Sequence, residues 1–138
     1  MKVLLVEDDA ASARAFELAA GTISSPPVDV QHVTSIDQAQ GRLLTEPFDV
    51  VVSDLHLPGS DPIETLNAMT EAVSLSVESA GAFFSLPLLV AWSSDDQMVQ
   101  QLQALNWIAE PKGTVQETIT LIHRLAVDRS ADVLECCA

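Results

Sequence analysis

Phe48-Asp-Val-Val-Val-Ser-Asp54 decides the reading of this chain. Val50, Val51 and Val52 are β-branched, and with Phe48 ahead of them they suit the pleated surface of a strand. No polar residue interrupts the valines. The run therefore fits a strand buried on both faces, as in a parallel sheet, rather than one with a wet face. It ends on Asp54, and Leu55 to Ser60, with Pro58-Gly59 inside it, follows as a loop. A carboxylate is thereby delivered to the C-terminal end of a buried strand.

The same design repeats on either side. Val3-Leu-Leu-Val6 is an apolar run that ends on Glu7, Asp8 and Asp9, and Leu86 to Ala91 is another, ending at Trp92-Ser93-Ser94. Val28 to Val33 alternates and reads as a second strand, and Trp107 to Ala109 as a short last one before Pro111-Lys112-Gly113. Helical segments separate them. Residues 10–20 are alanine-rich, anchored by Phe16 and Leu18 and stopped by Gly21. Ser35 and Gln38 form a capping box for a helix to about Leu44, with Pro47 closing the turn. Asp61-Pro62-Ile63-Glu64 combines a capping acid, proline at the first helical position and an early glutamate. That helix is expected to run to about residue 84, with Gly81 near its end. Residues 95–105 form a short helix behind a Ser94 cap. Thr114 and Glu117 open the last helix, which runs to about Val127 with Ile119, Ile122, Leu125 and Ala126 on one face. Residues 129–138 read as a tail, which leaves one domain over 1–128.

Strand and helix alternate five times. That pattern implies an α/β fold, a parallel sheet covered by helices on both faces. Ligands in such sheets bind beyond the C-terminal ends of the strands, where the strand order reverses. Glu7, Asp8 and Asp54 fall at those ends.

Composition narrows the function. The chain has 138 residues, 48% of them apolar, enough for a single packed core. Six basic residues stand against twenty acidic ones, a formal charge of −14. Such a surface repels nucleic-acid phosphates and anionic membranes, so direct binding to either is not expected. No apolar run is long enough to cross a bilayer, and the N-terminus has no leader pattern, which points to the cytoplasm. Cys136 and Cys137 are adjacent and cannot staple a fold.

Three carboxylates at one sheet edge repel one another, and a hard divalent cation removes the conflict. Magnesium accepts oxygen ligands and keeps several waters, so it needs few protein acids. A carboxylate held there can attack a phosphoryl group and become an aspartyl phosphate. A nearby lysine would neutralise the transferring oxygens further.

Val3-Leu-Leu-Val-Glu-Asp-Asp9 and Phe48-Asp-Val-Val-Val-Ser-Asp-Leu-His-Leu-Pro-Gly-Ser-Asp61 resemble the opening strand and the phosphoacceptor strand and loop of response-regulator receiver domains. The resemblance covers nearly the whole chain. It implies a flavodoxin-like sheet of order 2-1-3-4-5 and magnesium as cofactor. Asp54 would be the phosphoacceptor. Asp8, Asp54 and the backbone carbonyl of His56 would be metal ligands, with Glu7 acting through a water. Asp9 is then a spare acid that caps the next helix. The phosphoryl group would come from a histidine kinase or phosphotransfer protein, and the readout would be an output domain or downstream protein. A homodimer is compatible with the sequence.

The chain departs from the family in three places. The hydroxyl that ends strand four in receivers falls on Trp92 when counted from Pro87, and on Ser93 if the strand bulges by one. Trp92 and Ser93 are therefore switch candidates, with Ser93 also a phosphate contact; Trp107 is a further switch candidate, and both tryptophans also read as packing residues. The lysine that ends strand five is either replaced by Glu110 or supplied by Lys112, and Lys112 is favoured. The span from Asp54 to Ser93 is long, which implies an extension around Ser74 to Ser85, and that from Ser93 to Lys112 is short. His32 and His123 read as surface or boundary residues.

Two other functions compete with a phosphorylatable receiver. One is a receiver-like scaffold that binds a partner without phosphorylation, which predicts Glu110 facing the acids. The other is a magnesium-dependent aspartyl phosphatase, which would want a second acid where His56 stands. The leading reading expects no enzyme activity beyond the chain's own phosphorylation and dephosphorylation.

Overall fold

The computed structural model describes residues 1–57, 59, 61–80 and 86–137, with the backbone helix alone described at 79–80 and 130–137. Five strands and five helices alternate: β1 (Lys2–Val6), α1 (Ala10–Ala20), β2 (Asp29–Val33), α2 (Ile36–Thr45), β3 (Val50–Asp54), α3 (Pro62–Ala80), β4 (Leu88–Ser93), α4 (Asp96–Ala104), β5 (Ile108–Pro111) and α5 (Val115–Cys137). One turn of 3-10 helix, Lys112–Thr114, joins β5 to α5. All strand pairs are parallel, in the order β2-β1-β3-β4-β5 expected from the sequence. Among the described residues no helix is long and apolar enough to cross a membrane.

The apolar runs are buried for the reason they were read as strands. Alternate side chains of a strand point to opposite faces. Val50 and Val52 join Val3, Leu5, Phe16 and Ile119 in a core on the α1/α5 face. Val51 packs with Leu4, Val6, Leu43 and Met69 on the other. Burying each such side chain contributes roughly 1.5–3 kcal/mol before conformational entropy is counted.

Several helix ends form as the sequence implied. Asp9 caps α1, its carboxylate accepting from Ser12 N at 3.2 Å. Ser35 Oγ accepts from Gln38 N at 3.2 Å, and the Gln38 amide oxygen reaches back to Thr34 N at 2.9 Å. Asp61 accepts from Glu64 N at 2.8 Å, with Pro62 the first residue of α3.

Others differ. The cap of α4 is Asp95, whose Oδ1 accepts from Gln97 N and Met98 N at 3.1 and 3.2 Å. β4 runs on to Ser93, so Ser94 is left in the link instead of capping. Thr114 does not cap α5 either; its hydroxyl donates to Pro111 O at 3.4 Å within the 3-10 turn. The last helix continues past Val127 to Cys137, because the sequence after Gly113 contains no glycine or proline to stop it. Residues 129–137, read as a tail, are thus helical. The extension between Asp54 and Ser93 is carried by the 19-residue α3. Gly81, expected near its end, lies outside the described residues, as do Pro58 and Ser60 of the loop after β3.

Candidate functional site

The site follows from strand alternation. Val3 and Leu5 face α1 and α5, so Glu7 leaves the end of β1 on that side; Val50 and Val52 do the same for Asp54. The ladder pairs Val6 with Ser53, which brings the two carboxylates side by side. Ile108 of β5 shares the face, and continuing by twos gives Glu110 and then Lys112.

Lys112 closes the arrangement. Its ammonium lies 2.7 Å from Glu7 Oε2 and 3.3 Å from Asp54 Oδ2. Glu7 Oε1 accepts from Asp9 N at 3.0 Å, and Asp54 Oδ1 from His56 N at 3.0 Å. One oxygen of each buried acid thus has an N–H donor, and the other is met by the Lys112 ammonium as an ion pair, Glu7 Oε2 having no further hydrogen-bond partner among the described residues; Asp8 beside them is exposed. Burial pushes the Glu7 carboxyl above its usual range, although Lys112 and the Asp9 amide pull the other way. Burial also acts to lower Lys112, but the Glu7 bond and the Asp54 charge outweigh it and the net shift is upward.

Carboxylate oxygens of Glu7, Asp8 and Asp54 all lie within 4.8 Å of one another. Magnesium holds oxygens at about 2.1 Å, so ligands across an octahedron are about 4.2 Å apart. Oxygens gathered this closely can meet one such ion directly, or with a water in place of one acid. Three carboxylates against one ammonium leave an excess of two negative charges, which a divalent cation cancels. The hard oxygen set and the open Asp8 side fit such an ion and its waters.

The other sequence candidates separate. Glu110 turns to α5, where burial and then the charge of Glu117 raise its pKa; Lys112, not Glu110, lies beside Asp54. The β3–β4 ladder is regular, with Trp92 opposite Asp54 and no bulge. Trp92 is buried on the Asp54 face, meets Phe16 edge-on, and carries Lys112 Nζ 5.1 Å from its ring centroid. Ser93 therefore points to the other face. Its hydroxyl accepts from Asp95 N at 3.0 Å and lies 3.2 Å from His56 Nε2. Trp107 precedes β5, at the opposite end of the sheet from Asp54, and packs against the core between β4, β5 and α4. It is not part of this site.

Two contacts were missed in the sequence. The His32 ring donates from Nε2 to the Glu7 carbonyl at 2.7 Å, steadying the β1 end from the edge strand. Its signal lay in the strand register, which pairs His32 with Leu5 and so sets it beside the residues that precede the site. The His56 ring on Ser93 is the other; only its backbone was expected to matter.

No family model matches the chain, and no curated protein matches it. Solved structures do. The signal receiver domain of an HD domain-containing protein from Pseudomonas fluorescens Pf-5 superposes with a TM-score of 0.69 at 17% identity, over 97% of this chain and 91% of that one. A CheY-like receiver domain protein from Methanospirillum hungatei JF-1 gives 0.66 at 14%, over 95% and 97%. The fold is that of response-regulator receiver domains. A de novo designed Rossmann 2x3 protein also superposes, at 0.60 and 15% identity over 89% of both chains, so likeness at this level carries architecture and not chemistry. In the receiver order the reversal lies between β1 and β3, and the acids stand there.

Proposed function

We propose that this chain is a phosphorylatable receiver, with Asp54 as the acceptor. The observation that carries the reading is the half-buried ammonium of Lys112, shared between Glu7 and Asp54 at the sheet reversal with Asp8 alongside. An isolated structural ion pair needs one acid; three acids with one cation make sense when further positive charge and a phosphoryl group are to be accommodated.

In this reading an Asp54 oxygen attacks the phosphorus of a phosphohistidine, the P–N bond breaks, and an acyl phosphate forms. Bound magnesium, held by Asp8, Asp54 and the His56 carbonyl with Glu7 through a water, would neutralise charge on the transferring oxygens. The His56 amide keeps one Asp54 oxygen occupied and so orients the other. Lys112, on a flexible stem, follows the new oxygens. A cation at about 4 Å in an effective dielectric near 20 contributes roughly 4 kcal/mol before desolvation. The donor would be a histidine kinase or phosphotransfer protein in the cytoplasm, and the phosphorylated form would change affinity for an output domain or downstream protein. With no bulge in β4, Ser93 faces away from Asp54, so its hydroxyl would report the change through the His56 ring, 3.2 Å away, and not by meeting the phosphoryl group. The scaffold reading wanted Glu110 against the acids, and the Lys112 contacts speak against it.

The test is mass spectrometry after incubation with acetyl phosphate and magnesium. Wild type should gain one phosphoryl group and Asp54→Asn none. A wild-type chain that gains nothing, or an Asp54→Asn chain that gains as much, overturns the reading.

A further inference from the structure

Lys112 is held on more than its acidic side. Glu7 and Asp54 take it from one direction, and the indole of Trp92 lies 5.1 Å from Nζ on another. The ring is fixed in turn. Trp92 is 1% exposed, pairs with Asp54 across the β3–β4 ladder, and is met by Phe16 of α1 at 5.3 Å and 69° between planes.

Core filling alone does not account for tryptophan here. Its Nε1 is buried with no hydrogen-bond partner among the described residues. An unpaired buried donor is costly, and leucine or phenylalanine would fill the face without it. What an aliphatic side chain lacks is the negative π face, and among aromatic rings tryptophan attracts a cation most strongly, the more so when desolvated. Lysine needs such help. Its ammonium is a point charge on a four-carbon stem with many rotamers. Of the two acids Glu7 is the nearer, at 2.7 Å against 3.3 Å for Asp54, so the carboxylates alone do not aim the charge at the acceptor.

The geometry points to Trp92 as a positioning residue whose indole face holds the Lys112 ammonium over Asp54 for phosphoryl transfer. The inference rests on the phosphoacceptor reading for its function, and on the ring contact for its structure.

The chain contains two lysines, Lys2 and Lys112, so a Lys2→Arg variant assigns the Lys112 side-chain protons in an NMR spectrum. In wild type the Lys112 Hε resonance should lie upfield of its random-coil position, through the ring current of Trp92. Trp92→Leu should abolish that shift, and Trp92→Phe should keep part of it. With acetyl phosphate and magnesium, Trp92→Leu should be phosphorylated about fivefold more slowly, the factor expected for a lost buried cation–ring contact. Trp92→Phe should stay within about twofold of wild type. In a Lys112→Met background, Trp92→Leu should cause no further loss, which a merely structural role of the ring would not produce.

An unshifted Lys112 Hε in wild type overturns the proposal without any variant having to fold. So does an equal loss of rate from Trp92→Leu with and without Lys112. A wild type that takes no phosphate, its Lys112 shift still governed by Trp92, would sink the phosphoacceptor reading while upholding the ring's hold on the ammonium.

Discussion

The two lysines of the chain sit at opposite ends of the sheet in clusters of similar parts. Lys2, at the start of β1, pairs with Glu46 and lies 5.1 Å from the ring centroid of Phe48. Lys112, just past β5, pairs with Glu7 and Asp54 and lies 5.1 Å from that of Trp92. Burial and charge balance differ. The Lys2 and Glu46 side chains are 33% and 26% exposed, against 17% and 0% for Lys112 and Glu7. Glu46 receives a second cation, Arg42, at 2.7 Å, so two bases serve one acid. At the other end one base serves two buried acids, with a third beside them. A charge-satisfied cluster of the first kind, open to solvent and screened by it, has no unmet demand. The second is short of positive charge in a desolvated place, a setting that suits a divalent cation and gives its lysine a use.

Removing each lysine is the sharpest way to break the comparison. Lys112→Ala should slow phosphorylation from acetyl phosphate about a hundredfold, the range seen when one preorganised charge-stabilising group is deleted. Lys2→Ala should leave that rate unchanged and cost less than about 1 kcal/mol of stability in a urea titration. Equal rate losses would mean that the two clusters differ only in location.

Metal affinity is the next contrast. Asp8→Asn should weaken magnesium binding at least about tenfold, read by Trp92 fluorescence in a Trp107→Phe background. It should leave the fold intact or slightly more stable, since it relieves repulsion among the acids. Glu46→Gln should leave the magnesium titration where it was. Unchanged affinity in Asp8→Asn would remove the metal site.

Much of this was legible in the sequence, for identifiable reasons. A valine run ending on an acid fixes both the burial of β3 and the place of Asp54, because strand interior and strand end impose opposite demands on polarity. Lys112 could be preferred over Glu110, but two residues in the same alternation look alike until the ammonium of Lys112 is seen on Glu7 and Asp54, with Glu110 partly buried near the like charge of Glu117. The choice between Trp92 and Ser93 stayed open because it depends on a bulge, a matter of ladder hydrogen bonds rather than residue type; the ladder is regular. Trp107, a switch candidate that also reads as a packing residue, packs at the far end of β5 from Asp54. The hold of Trp92 on Lys112 joins two elements 20 positions apart and leaves no periodic trace.

The smallest effects expected are on stability, and they have opposite signs in the two glutamates that the lysines bind. Glu46 has its pKa lowered, by the Lys2 bond first and the Arg42 bond next. Its charged form is thus the stabilising one: the contribution is present above the ordinary carboxylate range and disappears as pH falls through the lowered value. Glu7 has its pKa raised, by burial above all. Its neutral form is the stabilising one: that contribution is complete below the ordinary range and is lost as pH rises through the raised value. At neutral pH without magnesium, Glu46→Gln should lower Tm by about 1 °C and Glu7→Gln should raise it by roughly 3 °C. Near about pH 3, below the ordinary carboxylate range, Glu7→Gln should no longer matter, and the loss in Glu46→Gln should shrink as pH falls through that carboxyl's lowered value. Magnesium should erase the gain in Glu7→Gln, because the bound ion supplies the charge that burial denies the wild-type carboxylate. Thermal melts by circular dichroism at the two pH values, with and without magnesium, read all of these. Two substitutions that shift Tm in the same direction at neutral pH would mean that Lys112 satisfies Glu7 as fully as Lys2 and Arg42 satisfy Glu46, and the shortfall of positive charge at the Asp54 end would not exist.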